Sequence, residues 1–84
     1  MQQYKFNTPL IISTVGTLYK NILGVIAKTK SLELDLSLVT NVDSAGVAFL
    51  LELKSIAKQN GCKLNFTKTP DIIEHFCQLY KVTL

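Results

Sequence analysis

Hydrophobic and polar residues alternate along the chain with two different periods. Residues 32–36 and 62–66 alternate strictly, which predicts two strands, each with one apolar and one polar face. Two shorter apolar stretches, residues 4–6 and 10–12, flank the turn sequence at residues 7–9 and predict two more strands. Strands with one polar face favour a two-layer arrangement, because a sheet covered on both sides has continuously apolar strands.

Three stretches with a 3.6-residue period predict helices between and after these strands. Residues 15–27 place apolar side chains at i, i+3, i+4 and i+7. A second helix is predicted at residues 45–59, ending before Gly61, a usual helix stop. The third begins at Pro70, favoured at the first helical position, with Thr69 as its cap. This order predicts an α/β fold in which the crossover through the second helix is parallel and right-handed.

Length and composition restrict the class of protein further. The 84 residues, 48% hydrophobic and 18% charged, predict a single globular domain over residues 1–84. The nine lysines are scattered and no arginine accompanies them, so a nucleic-acid partner is not expected. No signal peptide and no apolar run of about 18 residues occurs, which predicts a cytoplasmic protein that meets a membrane only through a partner.

The residues that carry chemistry give little support to an enzyme. Cys62, Cys77 and His75 do not have the spacing of a zinc site, and we expect two buried, reduced thiols. No glycine-rich phosphate loop and no GxSxG sequence occurs, and Asp43-Ser44 lacks the base that activates a serine nucleophile. The sequence therefore predicts a protein without catalytic residues, metal or cofactor.

The second predicted helix has apolar residues where its outer face is expected to be polar. At about 100° per residue, Val47, Ala48 and Leu51 point away from the core, and Ser44 lies on the same line one turn earlier. Apolar residues beside a polar rim are typical of a protein-binding surface. The alternative is that a loop or a chain terminus covers them.

Asp43 and Ser44 precede this helix and have two possible roles. Either residue can be the helix N-cap, the role that spacing alone favours. A phosphate on Ser44 is also compatible with the fold, because helix N-termini favour anions. The same phosphate would oppose a partner docked on the apolar residues beyond it. Ser44 is therefore both a candidate contact and a candidate phosphoacceptor.

Residues 34–37, 42–47 and 50–51 together resemble the signature of STAS domains. The resemblance implies a four-stranded mixed β-sheet with helices packed mainly on one face. Ser44 matches the family's phosphorylatable or partner-contacting residue and Asp43 the acid before it. Gly46 matches a glycine near the helix start, whereas Ala45 stands where the family often has serine or glycine.

Two groups of STAS proteins are compatible with these residues. The short length and the Leu-Tyr-Lys-Val sequence near the end resemble MlaB-like proteins, which implies a non-enzymatic accessory subunit bound to the ATPase of a phospholipid-transport ABC complex at the inner membrane. The alternative is an anti-sigma factor antagonist that binds a kinase-like anti-sigma factor. In both cases the predicted partner-binding residues are Asp43, Ser44, Ala45, Gly46, Val47, Ala48 and Leu51.

Overall fold

A computed structural model describes residues 2–84 as an α/β fold of three strands and three helices. The elements in chain order are β1 (Gln2–Lys5), α1 (Val15–Lys28), β2 (Ser31–Asp35), α2 (Ser44–Gln59), β3 (Lys63–Thr67) and α3 (Asp71–Leu79). The predicted α/β class is confirmed. The three helices and the two alternating strands begin within one residue of their predicted positions, and Gly61 ends α2 with the positive φ of 70° expected of a glycine stop.

The sheet differs from the predicted four-stranded mixed sheet. Its order is β1-β2-β3 and both pairings are parallel, so within residues 2–84 the expectation of four strands of mixed direction is wrong. The predicted strand at residues 10–12 is reduced to one bridge between Leu10 and Val42. After Leu10 the chain turns and enters α1, so β1 is joined to β2 by a helical crossover, which makes the pair parallel rather than a hairpin.

The two faces of the sheet have opposite character. Leu32 and Leu34 of β2 are fully buried, whereas Glu33 and Asp35 between them remain partly exposed on the other face. The register places Tyr4 and Phe66 beside Leu34 on the apolar face. The helices pack on this face, because the buried residues of α1, α2 and α3 form one core with Leu32 and Leu34. The predicted two-layer arrangement is therefore present.

Helix α2 lies at the centre of the helical layer. It contacts α1 on one side, α3 on the other and β3 beneath. Its residues Leu50 and Leu53 are fully buried, and the ring of Phe49 lies 5.8 Å from that of Phe6, measured between centroids. A fully buried leucine contributes about 1.5–3 kcal/mol relative to an exposed one, so these contacts hold α2 firmly in position.

Candidate functional site

The carboxylate of Asp43 joins two parts of the chain at the start of α2. Its Oδ1 accepts a hydrogen bond of 3.0 Å from the Gly46 N–H, which makes Asp43 the N-cap of the helix. Its Oδ2 accepts a second bond of 3.0 Å from the Ile12 N–H, in the turn before α1. The bond from Ile12, followed by that from Gly46, holds the pKa of Asp43 below its ordinary value. Asp43 therefore fixes the N-termini of α1 and α2 side by side.

Gly46 allows the backbone before α1 to pass directly against α2. A Cβ atom at this position would overlap the carbonyl oxygen of Leu10 and would lie 2.8 Å from Cγ2 of Val42. The same carbonyl oxygen accepts a hydrogen bond of 3.2 Å from the Asp43 N–H, and the Leu10 N–H donates to Asn41 at 3.0 Å. Gly46 is thus required for close packing, and it is buried.

The turn that leads into α1 exposes one large apolar side chain. The Thr14 hydroxyl donates to the Pro9 carbonyl oxygen at 2.6 Å and accepts the Ile11 N–H at 3.1 Å, which closes the turn. Ile12 projects from it with 76% of its surface exposed. Because its main-chain N–H is bound to Asp43, Ile12 is held beside the start of α2.

A shallow apolar groove runs between the N-terminal halves of α1 and α2. Its volume is about 340 Å³, and Glu52 is the charged residue in its lining. The lining residues are Val15, Gly16, Tyr19, Ala45, Ala48, Phe49 and Glu52. We name the exposed part of this region the α1–α2 surface and define it by Ile12, Gly16, Ser44, Ala45 and Ala48.

The structure divides the predicted partner-binding residues into two groups. Ser44 and Ala48 are exposed and Ala45 is half-buried, and all three lie at the α1–α2 surface. Val47 is only 4% exposed, so its predicted outward orientation is wrong, and Leu51 is half-buried against the core. The reason is that α2 contacts α1 and α3 as well as β3. More of its circumference is therefore buried than in a helix that packs only on a sheet.

The contribution of α1 to this region was not predicted from the sequence. The sequence predicts a strand that contains Ile12 and an amphipathic helix that contains Gly16, and it places neither residue at a partner-binding surface. The exposed glycine in the first turn of α1, placed beside two alanines of α2, forms the floor of the groove. Asp43 was the one residue in the sequence that could have indicated this contact. A carboxylate at an N-cap has a second oxygen that can accept a hydrogen bond from another segment.

Other groups with possible chemistry lie apart from this surface. Asp35 forms ion pairs with Lys5 at 3.8 Å and Lys68 at 3.7 Å, and its pKa is lowered first by hydrogen bonds from Ser37 and then by the two ammonium groups. Burial raises the pKa of the Cys62 and Cys77 thiols, which disfavours the reactive thiolate form. Among residues 2–84, no group of three or more His, Cys, Asp or Glu side chains is arranged to hold a metal ion.

Comparison with known proteins places this architecture in a family. A search of curated proteins found no match. In the described part of the chain, no helix is both long and apolar enough to span a membrane. The family model described as "Mlab, STAS domain" matches residues 8–83, which include the Asp43–Gly46 turn and all three helices. The chain therefore belongs to the MlaB-like STAS domain family.

Proposed function

We propose that this protein is a non-enzymatic accessory subunit that binds the cytoplasmic ATPase of a phospholipid-transport ABC complex. The family description supports an accessory role of this kind. The observation that carries the proposal is the apolar groove between α1 and α2, with the exposed Ile12 and Ser44 beside it. Through such a partner the protein would lie at the inner membrane without inserting into it.

The dimensions of the groove suit an anchoring contact within a larger interface. A volume of about 340 Å³ accepts one or two side chains of a partner. A standard protein interface buries about 800 Å² on each partner, which is about 15% of the 5150 Å² exposed by the described residues. The remainder of such an interface would come from the polar residues around the groove, as is usual at an interface rim.

Two glycines of α1 provide a matched test of the surface. Gly16 lines the groove and Gly24 does not, yet both are exposed and a Cβ at either position meets no atom within 4 Å. Neither substitution therefore creates a clash within the fold. Gly16→Glu places a charge in the proposed apolar contact, whereas Gly24→Glu places the same charge on the same helix outside it.

The experiment co-expresses the affinity-tagged protein with the ATPase subunit of a phospholipid-transport ABC complex from the same source and measures the affinity of the purified pair. We expect Gly16→Glu to weaken binding by about 2 kcal/mol, or roughly thirtyfold, and Gly24→Glu to bind like the wild type. Equal binding by both variants would show that the α1–α2 surface is not part of the interface. If the wild type forms no complex with the ATPase, the proposed function is wrong.

One observation favours a second candidate, an anti-sigma factor antagonist. Asp43 provides the cap of α2, so the exposed Ser44 hydroxyl at the first helical position is not needed for capping. A phosphate there would meet the free N–H groups of the helix N-terminus and would lie at the edge of the groove. This candidate requires a kinase-type partner that phosphorylates Ser44 and no longer binds Ser44→Asp. Intact-mass spectra without phosphate in every growth condition would count against it.

A further inference from the structure

Strand β3 forms one edge of the sheet and leaves main-chain groups without partners. Within residues 2–84 it pairs only with β2. The Lys63 N–H donates to Lys30 at 2.8 Å and the Thr67 carbonyl accepts from Leu36 at 3.0 Å, so these residues of β3 face β2. Since N–H and C=O groups alternate in direction along a strand, those of Leu64 and Phe66 point away from the sheet.

A cleft of the described structure lies at this edge. Its volume is about 720 Å³, and the half-buried side chains of Leu64 and Phe66 belong to its apolar lining. Helix α3 and residues 82–84, which have no regular secondary structure, form the opposite wall. The cleft therefore offers unpaired main-chain donors and acceptors together with apolar side chains, the two requirements of strand addition.

We propose that this cleft binds an extended, acidic peptide segment of a partner protein, which adds to β3 as a fourth strand. A peptide backbone is the ligand that satisfies the outward groups of Leu64 and Phe66 in register. Lys63 begins β3 and forms no ion pair within residues 2–84. Lys68 follows β3 and shares the Asp35 carboxylate with Lys5, so two lysines and one aspartate leave that cluster with a net positive charge. Acidic residues at the two ends of the peptide complement these lysines.

The same charges disfavour a second copy of the chain as the occupant. Antiparallel pairing of two β3 strands would bring Lys63 of each copy close to Lys68 of the other, and like charges across a strand pair are destabilising. Lys54 of α2 and Glu74 of α3 both line the cleft and balance in charge. Beside the strands, the three lysines Lys5, Lys63 and Lys68 exceed Glu33 and Asp35 by one charge, so the strand region is net positive.

The cleft is independent of the α1–α2 surface. Lys54, which lines the cleft, follows Ala45 by nine residues, and this spacing places the two on opposite sides of α2. A partner in the groove between α1 and α2 therefore leaves the β3 edge accessible. The proposal for β3 is therefore tested separately from the proposed function, and failure of one does not affect the other.

Amide hydrogen exchange and NMR titration test the proposal on the unmodified protein. The probe is the synthetic peptide EVTITE, with acidic ends and alternating β-branched residues. In the free protein, we expect the Leu64 and Phe66 amides to exchange quickly and the Lys63, Asn65 and Thr67 amides slowly. Saturating peptide should slow exchange at Leu64 and Phe66 by at least about tenfold.

Control peptides separate main-chain pairing from charge. EVTITE methylated at all five of its peptide amides cannot donate a main-chain peptide hydrogen bond from either edge and should bind at least about tenfold more weakly. The peptide KVTITK should bind roughly fivefold more weakly, with a difference that falls as salt increases. On the protein, Lys63→Glu should weaken EVTITE binding, and Lys28→Glu, at the end of α1, should not.

Several outcomes would overturn the proposal. Slow exchange of Leu64 and Phe66 in the free monomer would mean that the edge is already paired. Failure of EVTITE to bind at millimolar concentration would also overturn the proposal. So would chemical-shift changes centred on Ala45 and Ala48 instead of β3. Protection of Leu64 and Phe66 that increases with protein concentration, accompanied by dimer in light scattering, would assign the edge to a second copy.

Discussion

Replacing Gly46 with alanine tests whether the start of α2 depends on direct contact with the segment before α1. The added Cβ would overlap the Leu10 carbonyl oxygen and lie 2.8 Å from Cγ2 of Val42. The Leu10 oxygen belongs to the main chain, so it cannot rotate away as the end of a flexible side chain can. Movement of Leu10 would also lengthen the 3.2 Å hydrogen bond that its carbonyl accepts from the Asp43 N–H.

The expected loss of stability follows from three contributions. Insertion of a methyl group into a packed site costs about 1–3 kcal/mol. The weakened hydrogen bond adds about 1 kcal/mol, and the higher helix propensity of alanine returns about 1 kcal/mol. The net destabilisation is about 2 kcal/mol, which lowers the Tm of a domain of this size by about 8–16 °C.

Gly24→Ala is the matched control, because Gly24 lies inside α1 and an added Cβ there meets nothing within 4 Å. Helix propensity alone predicts a gain of about 0.5–1 kcal/mol for this variant. Urea unfolding followed by far-UV circular dichroism measures both variants, and equal m-values verify that midpoints report stability. If Gly46→Ala unfolds at the same urea concentration as the wild type or above it, the close contact with Leu10 does not hold α2 in place.

Three other changes give outcomes of different kinds. Asp43→Ser retains a capping oxygen but removes the acceptor of the Ile12 N–H. Circular dichroism should therefore still show α2, while amide exchange of Ile12 becomes faster. Unchanged exchange at Ile12 would contradict the role given to Oδ2. Gly61→Ala should cost about 1 kcal/mol and Lys81→Gly should gain a similar amount in urea unfolding, because these residues have φ values of 70° and 56°. A gain for Gly61→Ala, or a loss for Lys81→Gly, would contradict the conformation of that residue. The lowered pKa values of Asp35 and Asp43 stabilise the fold above the ordinary carboxyl pKa of 3.8, and this stability is lost as the pH falls through the lower folded values. Thermal unfolding between pH 2 and 7 should therefore show a smaller acid-side decrease for Asp43→Asn than for the wild type, and parallel curves would refute this assignment.

The local pattern was sufficient to place most elements of the fold. The alternation at β2 and β3 predicted which residues face the core, because side chains on a strand alternate between faces whatever its neighbours are. The helical period similarly predicted α1 and α2, and Gly61 was predicted as a stop because glycine adopts positive φ without steric cost. The resemblance located the Asp43–Gly46 turn, and the family match is consistent with it.

The number and direction of strands depended on contacts that local sequence does not encode. Residues 10–12 have the composition of a strand, yet only Leu10 bridges to Val42, because the Thr14 hydroxyl closes a turn immediately afterwards. The described sheet therefore has three strands instead of four, and both of its pairings are parallel.

The composition of the candidate site was also decided by tertiary structure. Helical geometry gives the direction of each α2 side chain but not how many sides of α2 are covered, and Val47 is buried in the folded protein. Conversely, Ile12 and Gly16 reach the site only because Asp43 binds the turn before α1. Sequence thus determined the elements and the turn that begins α2, since these depend on neighbouring residues. The structure decided which side chains share a surface, since this depends on contacts between segments about 30 residues apart.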